Sequence, residues 1–162
     1  MAEIIKVYKE HQPALRLIGK RYTDADMLNG GFGHLWGKWF QNNWFAALEG
    51  LGEVKGIENG YLGFMGSHPG EYWIGMFLPP NTVAPEGYEF IDLAEGDVGV
   101  CWIKGKNYDG SIYGMHEKCL EKLKENRMDK HGGFFFERYN CPRFTEKDDQ
   151  GNVILDYGVY LV

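Results

Sequence analysis

Glu71-Tyr72-Trp73-Ile74-Gly75-Met76-Phe77-Leu78 is an apolar and aromatic run closed by Pro79-Pro80, and it reads as a β-strand. A shorter version returns near the C-terminus as Asp156-Tyr157-Gly158-Val159, with the two tyrosines 85 residues apart. Ile18-Gly19-Lys20 and Lys104-Gly105-Lys106 form a second echo, with the glycines 86 residues apart. Both offsets are close to half of the 162-residue chain, which argues for an internal duplication.

Outward from the first run, residues 61–65 are its expected hairpin partner across the turn-rich joint Gly66-Ser67-His68-Pro69-Gly70. Upstream, Thr23-Asp24-Ala25-Asp26 has the spacing of a capping box. Leu28, Phe32, Leu35, Trp36, Trp39, Phe40, Trp44 and Leu48 then recur every three or four residues, which predicts one amphipathic helix ended by Gly50 and Gly52. Residues 3–22 read as extended chain broken at Pro13. The second half repeats this order. Strands are expected over 88–93 and 98–104, then a helix after Asp109-Gly110-Ser111 with Ile112, Met115, Cys119 and Leu123 on one stripe. Lys122, Lys124, Arg127 and Lys130 suit the negative end of that helix, and Gly132-Gly133 is its expected stop. Residues 134–140 and 153–162 form a last hairpin.

The expectation is an α+β fold. Tandem duplicated strand-helix-strand-strand modules, about 1–80 and 81–162 of one domain over 1–162, form an antiparallel sheet with two main helices. A pseudo-twofold axis then leaves a central ligand cleft between the halves.

Several functions are excluded by composition. Lys+Arg 17 against Asp+Glu 23 gives a net charge of −6, the wrong sign for a binder that tracks nucleic-acid phosphates. No apolar stretch is long enough to span a membrane, and Met1-Ala2-Glu3-Ile4-Ile5-Lys6 lacks a signal-peptide core. Cys101, Cys119 and Cys141 are odd in number and widely spaced, consistent with a reducing cytoplasm. His11, His34, His68, His116 and His131 have no metal-ligand spacing, and the loop at Asp148 has Val153 where a calcium loop needs glycine. Gly30-Gly31-Phe32-Gly33 lacks the spacing of a phosphate loop, and no GxSxG elbow exists. No metal or cofactor is expected.

The excess is in aromatic residues and glycine: 10 Phe, 10 Tyr, 5 Trp and 23 Gly. Within Phe134-Phe135-Phe136-Glu137-Arg138-Tyr139, strand alternation places Phe135, Glu137 and Tyr139 on one face. A carboxylate between two aromatics is either a counter-ion for a large, poorly hydrated cation or a strand-edge group paired with a nearby Lys or Arg.

Glu71-Tyr72-Trp73-Ile74-Gly75, followed by Pro85-Glu86-Gly87-Tyr88 and Lys104-Gly105, resembles the gyrase-inhibitor-like (GyrI-like) family of effector-binding domains. That family shows Tyr-x-Ile-Gly, then Pro-x-Gly-aromatic, then a Lys-Gly turn. Pro13-Ala14-Leu15 through Gly19 resembles its opening strand, Phe136-Glu137-Arg138-Tyr139 its Glu-x-Tyr strand, and residues 156–161 its closing strand. The resemblance implies a stand-alone module that binds hydrophobic, aromatic and often cationic xenobiotics. Glu137 takes the place of the glutamate that meets cations in drug-sensing relatives. Trp36, Trp39, Phe40, Trp73, Phe77, Tyr113, Phe135, Tyr139 and Tyr157 are the candidate walls, each of them either cage or core.

A second implied activity is hydrolysis of cyclopropane-bearing DNA alkylators, with Glu137, Tyr157 and Tyr113 as catalytic groups. A third, a gyrase partner, rests on the founding member and on the acidic charge. A strand from about residue 3 leaves no room ahead of it for a DNA-binding domain, so direct nucleic-acid contact is not expected. Oligomeric state stays open.

Overall fold

A computed structural model describes residues 2–66, 70–106, 110–139 and 143–162. Ser67, His68 and Pro69 of the expected hairpin joint, Asp109 ahead of the second helix, and Asn140 and Cys141 lie outside the described residues. The chain runs β1 (Glu3–Gln12), β2 (Leu15–Tyr22), α1 (Gly33–Gln41), α2 (Ala46–Glu49), β3 (Tyr61–Met65) and β4 (Tyr72–Leu78). It continues as β5 (Glu89–Leu93), β6 (Gly96–Gly105), α3 (His116–Glu125), β7 (His131–Tyr139) and β8 (Val153–Leu161).

The eight strands form one antiparallel sheet in the order β1-β6-β8-β7-β3-β4-β2-β5. Exchanging the two halves, β1 for β5, β2 for β6 and so on, returns the same order reversed. The pseudo-twofold therefore passes between β3 and β7, where Gly63 pairs with Glu137. The extended stretch before α1 proves to be two strands, β1 and β2. They do not pair with each other. Each half hands its first strand to the other: β1 lies on β6 and β5 lies on β2.

The two echoes in the sequence fare differently. Tyr72 and Tyr157 both point toward the helix of their own half, Tyr72 against Trp36 of α1 and Tyr157 against His116 of α3. Gly19 shares a face with Leu17, away from α1, whereas a Cβ on Gly105 would strike Ile112 beside α3. An even offset of 86 reverses strand parity relative to 85, so the glycine pair is not a structural equivalence.

The first helix departs from its expected length. Thr23 and Asp26 do form a capping box, but it closes a single 3-10 turn, Asp24–Asp26. α1 begins nine residues later and stops at Gln41. Asn43 takes a left-handed φ of 54°, which a helix cannot continue through, and the Asn42 side chain donates to the carbonyl of Lys38. α3 likewise ends before Gly132-Gly133. Arg127 at φ 64° occupies the left-handed position of a Schellman turn, with Met128 N–H on Leu123 C=O at 2.8 Å and Arg127 N–H on Lys124 C=O at 3.0 Å. The two glycines instead fall inside the irregular start of β7.

β4 is buried at all seven positions because both of its faces are covered. Tyr72, Ile74, Met76 and Leu78 pack with Ile18 under Leu35, Trp39, Phe45 and Leu48 of the α1–α2 region. On the same sheet face, α3 covers Cys101, Ile103, Leu155, Tyr157 and Val159. Trp73 and Phe77 point the other way, into a core with Leu15, Leu17, Phe64 and Phe136. Arg138 is fully buried on that second face, held by both oxygens of Glu10 (2.9 and 3.0 Å) and by Asp156 (3.1 Å). Among the described residues, no helix is long and apolar enough to cross a membrane.

Candidate functional site

The helices cover the two ends of one sheet face and leave its middle open. There a cleft of about 1130 Å³ sits over β3 and β7, between α1–α2 on one side and the 3-10 turn Ser111–Tyr113 on the other. Glu137 stands on its floor. β7 lies between β8 and β3, so Glu137 is central in the sheet and not at an edge, and among the described residues it forms no ion pair. The basic neighbour in sequence, Arg138, faces the opposite side and is taken up by Glu10 and Asp156.

The glutamate is ringed by phenols. Tyr139 Oη donates to Glu137 Oε1 at 3.0 Å. Across the strand pair, Gly63 leaves room for Tyr72: a Cβ there would lie 2.3 Å from the Tyr72 hydroxyl and 3.4 Å from Glu137 Oε1. Trp36 Nε1 donates to Tyr72 Oη at 3.0 Å, and Phe32 stacks on the Tyr72 ring at 4.5 Å and 7°. The edge-on contact of Trp36 with Tyr139 (4.8 Å) and that of Tyr139 with Phe144 (4.8 Å) extend the wall.

Burial pushes the Glu137 carboxyl up to about 7, and the Tyr139 hydroxyl only partly offsets it. Burial first, and then the charge of Glu137, raises the phenols of Tyr72, Tyr113, Tyr139 and Tyr157, so all four stay protonated at neutral pH. None of the described residues lining the cleft is Lys, Arg or His, while Glu49 and Glu53 lie toward its α2 end. The described residues lining the cleft thus combine aromatic walls with the carboxyl groups of Glu49, Glu53 and Glu137 and no basic side chain.

Of the residues singled out from the sequence, Trp36, Phe40, Tyr113, Glu137 and Tyr139 line this cleft. Trp39 does not. It is fully buried beneath α1, donating from Nε1 to Tyr22 Oη at 3.0 Å and packing on Phe45. Trp73 and Phe77 belong to the other face, Trp73 donating to Glu71 and Phe77 meeting Phe136 edge-on at 5.4 Å. Phe135 and Tyr157 share the face of Glu137 but lie in the α3 core, both against His116. The Tyr157 hydroxyl is engaged with His116 Nδ1 at 2.5 Å.

Phe32, Tyr61, Tyr72, Phe144, Glu49 and Glu53 line the cleft without having been singled out. For Tyr72 the signal was present: as the repeat mate of Tyr157 it faces its own helix, and alternation then sends Trp73 and Phe77 to the opposite side. Tyr61 opens β3 and Phe32 directly precedes α1, while Glu49 ends the short α2 and Glu53 and Phe144 lie in loops, where no strand or helix period marks the side that faces the cleft.

The chain is an α+β protein of two pseudo-symmetric halves with an aromatic cleft between them. A Staphylococcus aureus MU50 protein, provisionally assigned to bacterial transcription regulation, shares the fold with a TM-score of 0.65 at 16% identity, over 97% of this chain and 98% of its own. The protein SAV2435, solved bound to tetraphenylphosphonium, gives 0.69 at 16% identity, over 98% of this chain and 94% of its own. A Listeria innocua hydrolase encoded by lin2189 gives 0.56 at 8% identity, over 97% and 92%. No family model and no curated protein sequence matches the chain. These likenesses establish the fold.

Proposed function

We propose that this protein binds hydrophobic, aromatic cations in the central cleft, as a member of the GyrI-like effector-binding family, with Glu137 as the counter-ion. The observation that carries this reading is the carboxyl of Glu137: enclosed, without an ion-pair partner among the described residues, and ringed by Tyr139, Tyr72 and Trp36. An unpaired carboxylate in such a place is costly, and a cation that loses little hydration on entry offsets that cost. Phosphonium and quaternary nitrogen centres meet this requirement better than a lysine ammonium, and each ring face adds about 0.5–2 kcal/mol. The tetraphenylphosphonium bound to SAV2435, a protein of the same fold, is a ligand of this kind.

Tetraphenylphosphonium and tetraphenylborate have nearly the same shape and opposite charge, so they separate charge recognition from apolar adhesion. Calorimetric titration at pH 8 is expected to give saturable binding of the phosphonium and at least about a hundredfold weaker binding of the borate. Equal affinities would overturn the reading.

A second reading has one observation in its favour: a carboxyl poised near 7 beside tyrosine donors is suited to general acid–base chemistry. In that case Glu137 activates a water and Tyr113, which lines the cleft, donates to a carbonyl of the substrate; Tyr157 is already engaged by His116. Incubation of a cyclopropane-bearing alkylator with a tenth as much protein decides between the two. Many equivalents of ring-opened product above the uncatalysed rate, lost in Glu137→Gln, would establish a hydrolase. The binding reading expects intact compound retained by the protein.

A further inference from the structure

We infer that the preferred ligand is an elongated dication, with a poorly hydrated aromatic cation over Glu137 and a second, solvent-exposed cationic group at Glu49 and Glu53. The inference rests on the cation-binding reading above and specifies the ligand class for that same cleft.

Size is the first argument. The cleft holds about 1130 Å³, above the roughly 300–1,000 Å³ of sites that enclose one drug-sized ligand. A single fused-ring cation against Glu137 leaves the α2 end unfilled. That end is not neutral. Glu49 closes α2 and Glu53 follows it, and both line the cleft together with Tyr61. Glu49 accepts a hydrogen bond from the Tyr61 hydroxyl through Oε1. Glu53 makes no hydrogen bond or ion pair among the described residues, and no Lys, Arg or His there lines the cleft to neutralise either carboxylate.

The second argument is the wall between the two charges. Tyr61 is the register partner of Tyr139, two residues along β7 from Glu137. From Tyr139 the rings continue through Trp36 (4.8 Å), Phe40 (6.3 Å) and Tyr61 (6.0 Å), with Phe45 stacked behind Tyr61 at 3.8 Å. Phe40 is 60% exposed, an apolar ring at the wall of the cleft. A linker lying along this wall would cover Phe40.

The two ends differ in kind. Glu137 is partly buried on the cleft floor and favours a cation that sheds water at little cost, whereas Glu49 and Glu53 are exposed and accept a cationic group, ammonium or quaternary, that stays in contact with water. The partly buried charge anchors the ligand, and the exposed pair adds a smaller, salt-sensitive increment.

Ethidium and propidium test this directly. They share a phenanthridinium ring system, and propidium alone carries a second quaternary ammonium on a propyl arm. In fluorescence titrations at low salt, the protein is expected to bind propidium about fivefold or more tightly than ethidium. Glu49→Gln/Glu53→Gln should abolish that preference, and an unchanged circular-dichroism spectrum and melting temperature show that the variant is folded. Glu121→Gln/Asp129→Asn removes the same two charges from outside the cleft and should leave the preference intact.

A preference that survives Glu49→Gln/Glu53→Gln, or falls equally with the control pair, overturns the inference. So does equal affinity for the two dyes where Glu137→Gln still weakens both, and in that case cation binding at Glu137 stands. Indifference of both dyes to Glu137→Gln overturns the cation-binding reading itself, and the dication with it.

Discussion

Glu137→Gln is expected to weaken tetraphenylphosphonium binding by about a hundredfold at pH 8 while making the empty protein more stable. Both effects come from one charge. Loss of one partner of an enclosed charge pair costs about 2–5 kcal/mol, and a tenfold change in affinity is 1.4 kcal/mol. Without ligand the balance reverses. Burial lifts the Glu137 carboxyl from its ordinary 4.5 to about 7, so between those values the folded protein holds a proton that the unfolded chain has released. Stability therefore falls as pH rises through this window and levels off above 7, a loss of up to about 3 kcal/mol. Glutamine keeps the shape, still accepts from Tyr139, and carries no charge to desolvate.

Thermal denaturation should accordingly show a higher Tm for the variant at pH 8, by roughly 5–10 °C for a chain of this size, and no difference near pH 4. Binding runs in the opposite sense. A cation requires the ionised carboxylate, so wild-type affinity should drop about tenfold for each pH unit below 7 and be flat above it. The variant should show no such slope. A wild-type protein whose phosphonium affinity is the same at pH 5.5 and pH 8 would disprove the role of Glu137.

The second large effect is expected on the other face of the same strand. Arg138→Met should destabilise the protein by about 3–5 kcal/mol, because it leaves Glu10 and Asp156 without the guanidinium that lies between them. The surroundings can replace little of it. Arg143 already serves Asp156 and Glu58, and Gln12 donates to Glu10 while accepting from Tyr160. Burial already raises the Asp156 carboxyl, opposed by Arg143 and Arg138, so removing Arg138 raises it further. Protonation then relieves part of the damage, and the stability deficit should be smaller at pH 4.5 than at pH 8. Chemical denaturation at the two pH values measures this. Phosphonium affinity of the folded fraction should be nearly unchanged, since strand alternation turns Arg138 away from the cleft. Equal stability of the variant and wild type at pH 8 would show that the ion network contributes nothing.

Two neighbouring residues thus have opposite tasks, and their separation is legible in the sequence. A strand alternates its faces, so Phe135, Glu137 and Tyr139 must share one side and Arg138 must take the other. That Glu137 has no ion-pair partner among the described residues is not legible there. Whether a strand is central or at an edge depends on pairing with β3 and β8, which are distant in sequence. The same holds for the handing of β1 to β6 and β5 to β2: hydrophobic pattern marks these segments as strands without saying which neighbour completes them.

The first helix shows the limit of periodicity from another side. Apolar residues at three- and four-residue spacing point to one face whether or not the backbone between them stays helical. The pattern at 28–48 therefore correctly buried Leu35, Trp39 and Leu48, yet missed the break at Asn43. That break matters for the site, because the separate α2 carries Glu49 to the cleft.

What the sequence alone determined is local and periodic: two similar halves, the strands, and the face on which Glu137 stands with its aromatic neighbours. Tertiary structure decided which aromatics line the cleft. Trp36, Tyr72 and Tyr61 surround the cleft while Trp39, Trp73 and Phe77 fill the cores, and nothing in their local sequence separates the two groups. The difference lies in where two helices, packed on opposite ends of one sheet face, leave the middle strands uncovered, and that gap is set by contacts between residues far apart in the chain.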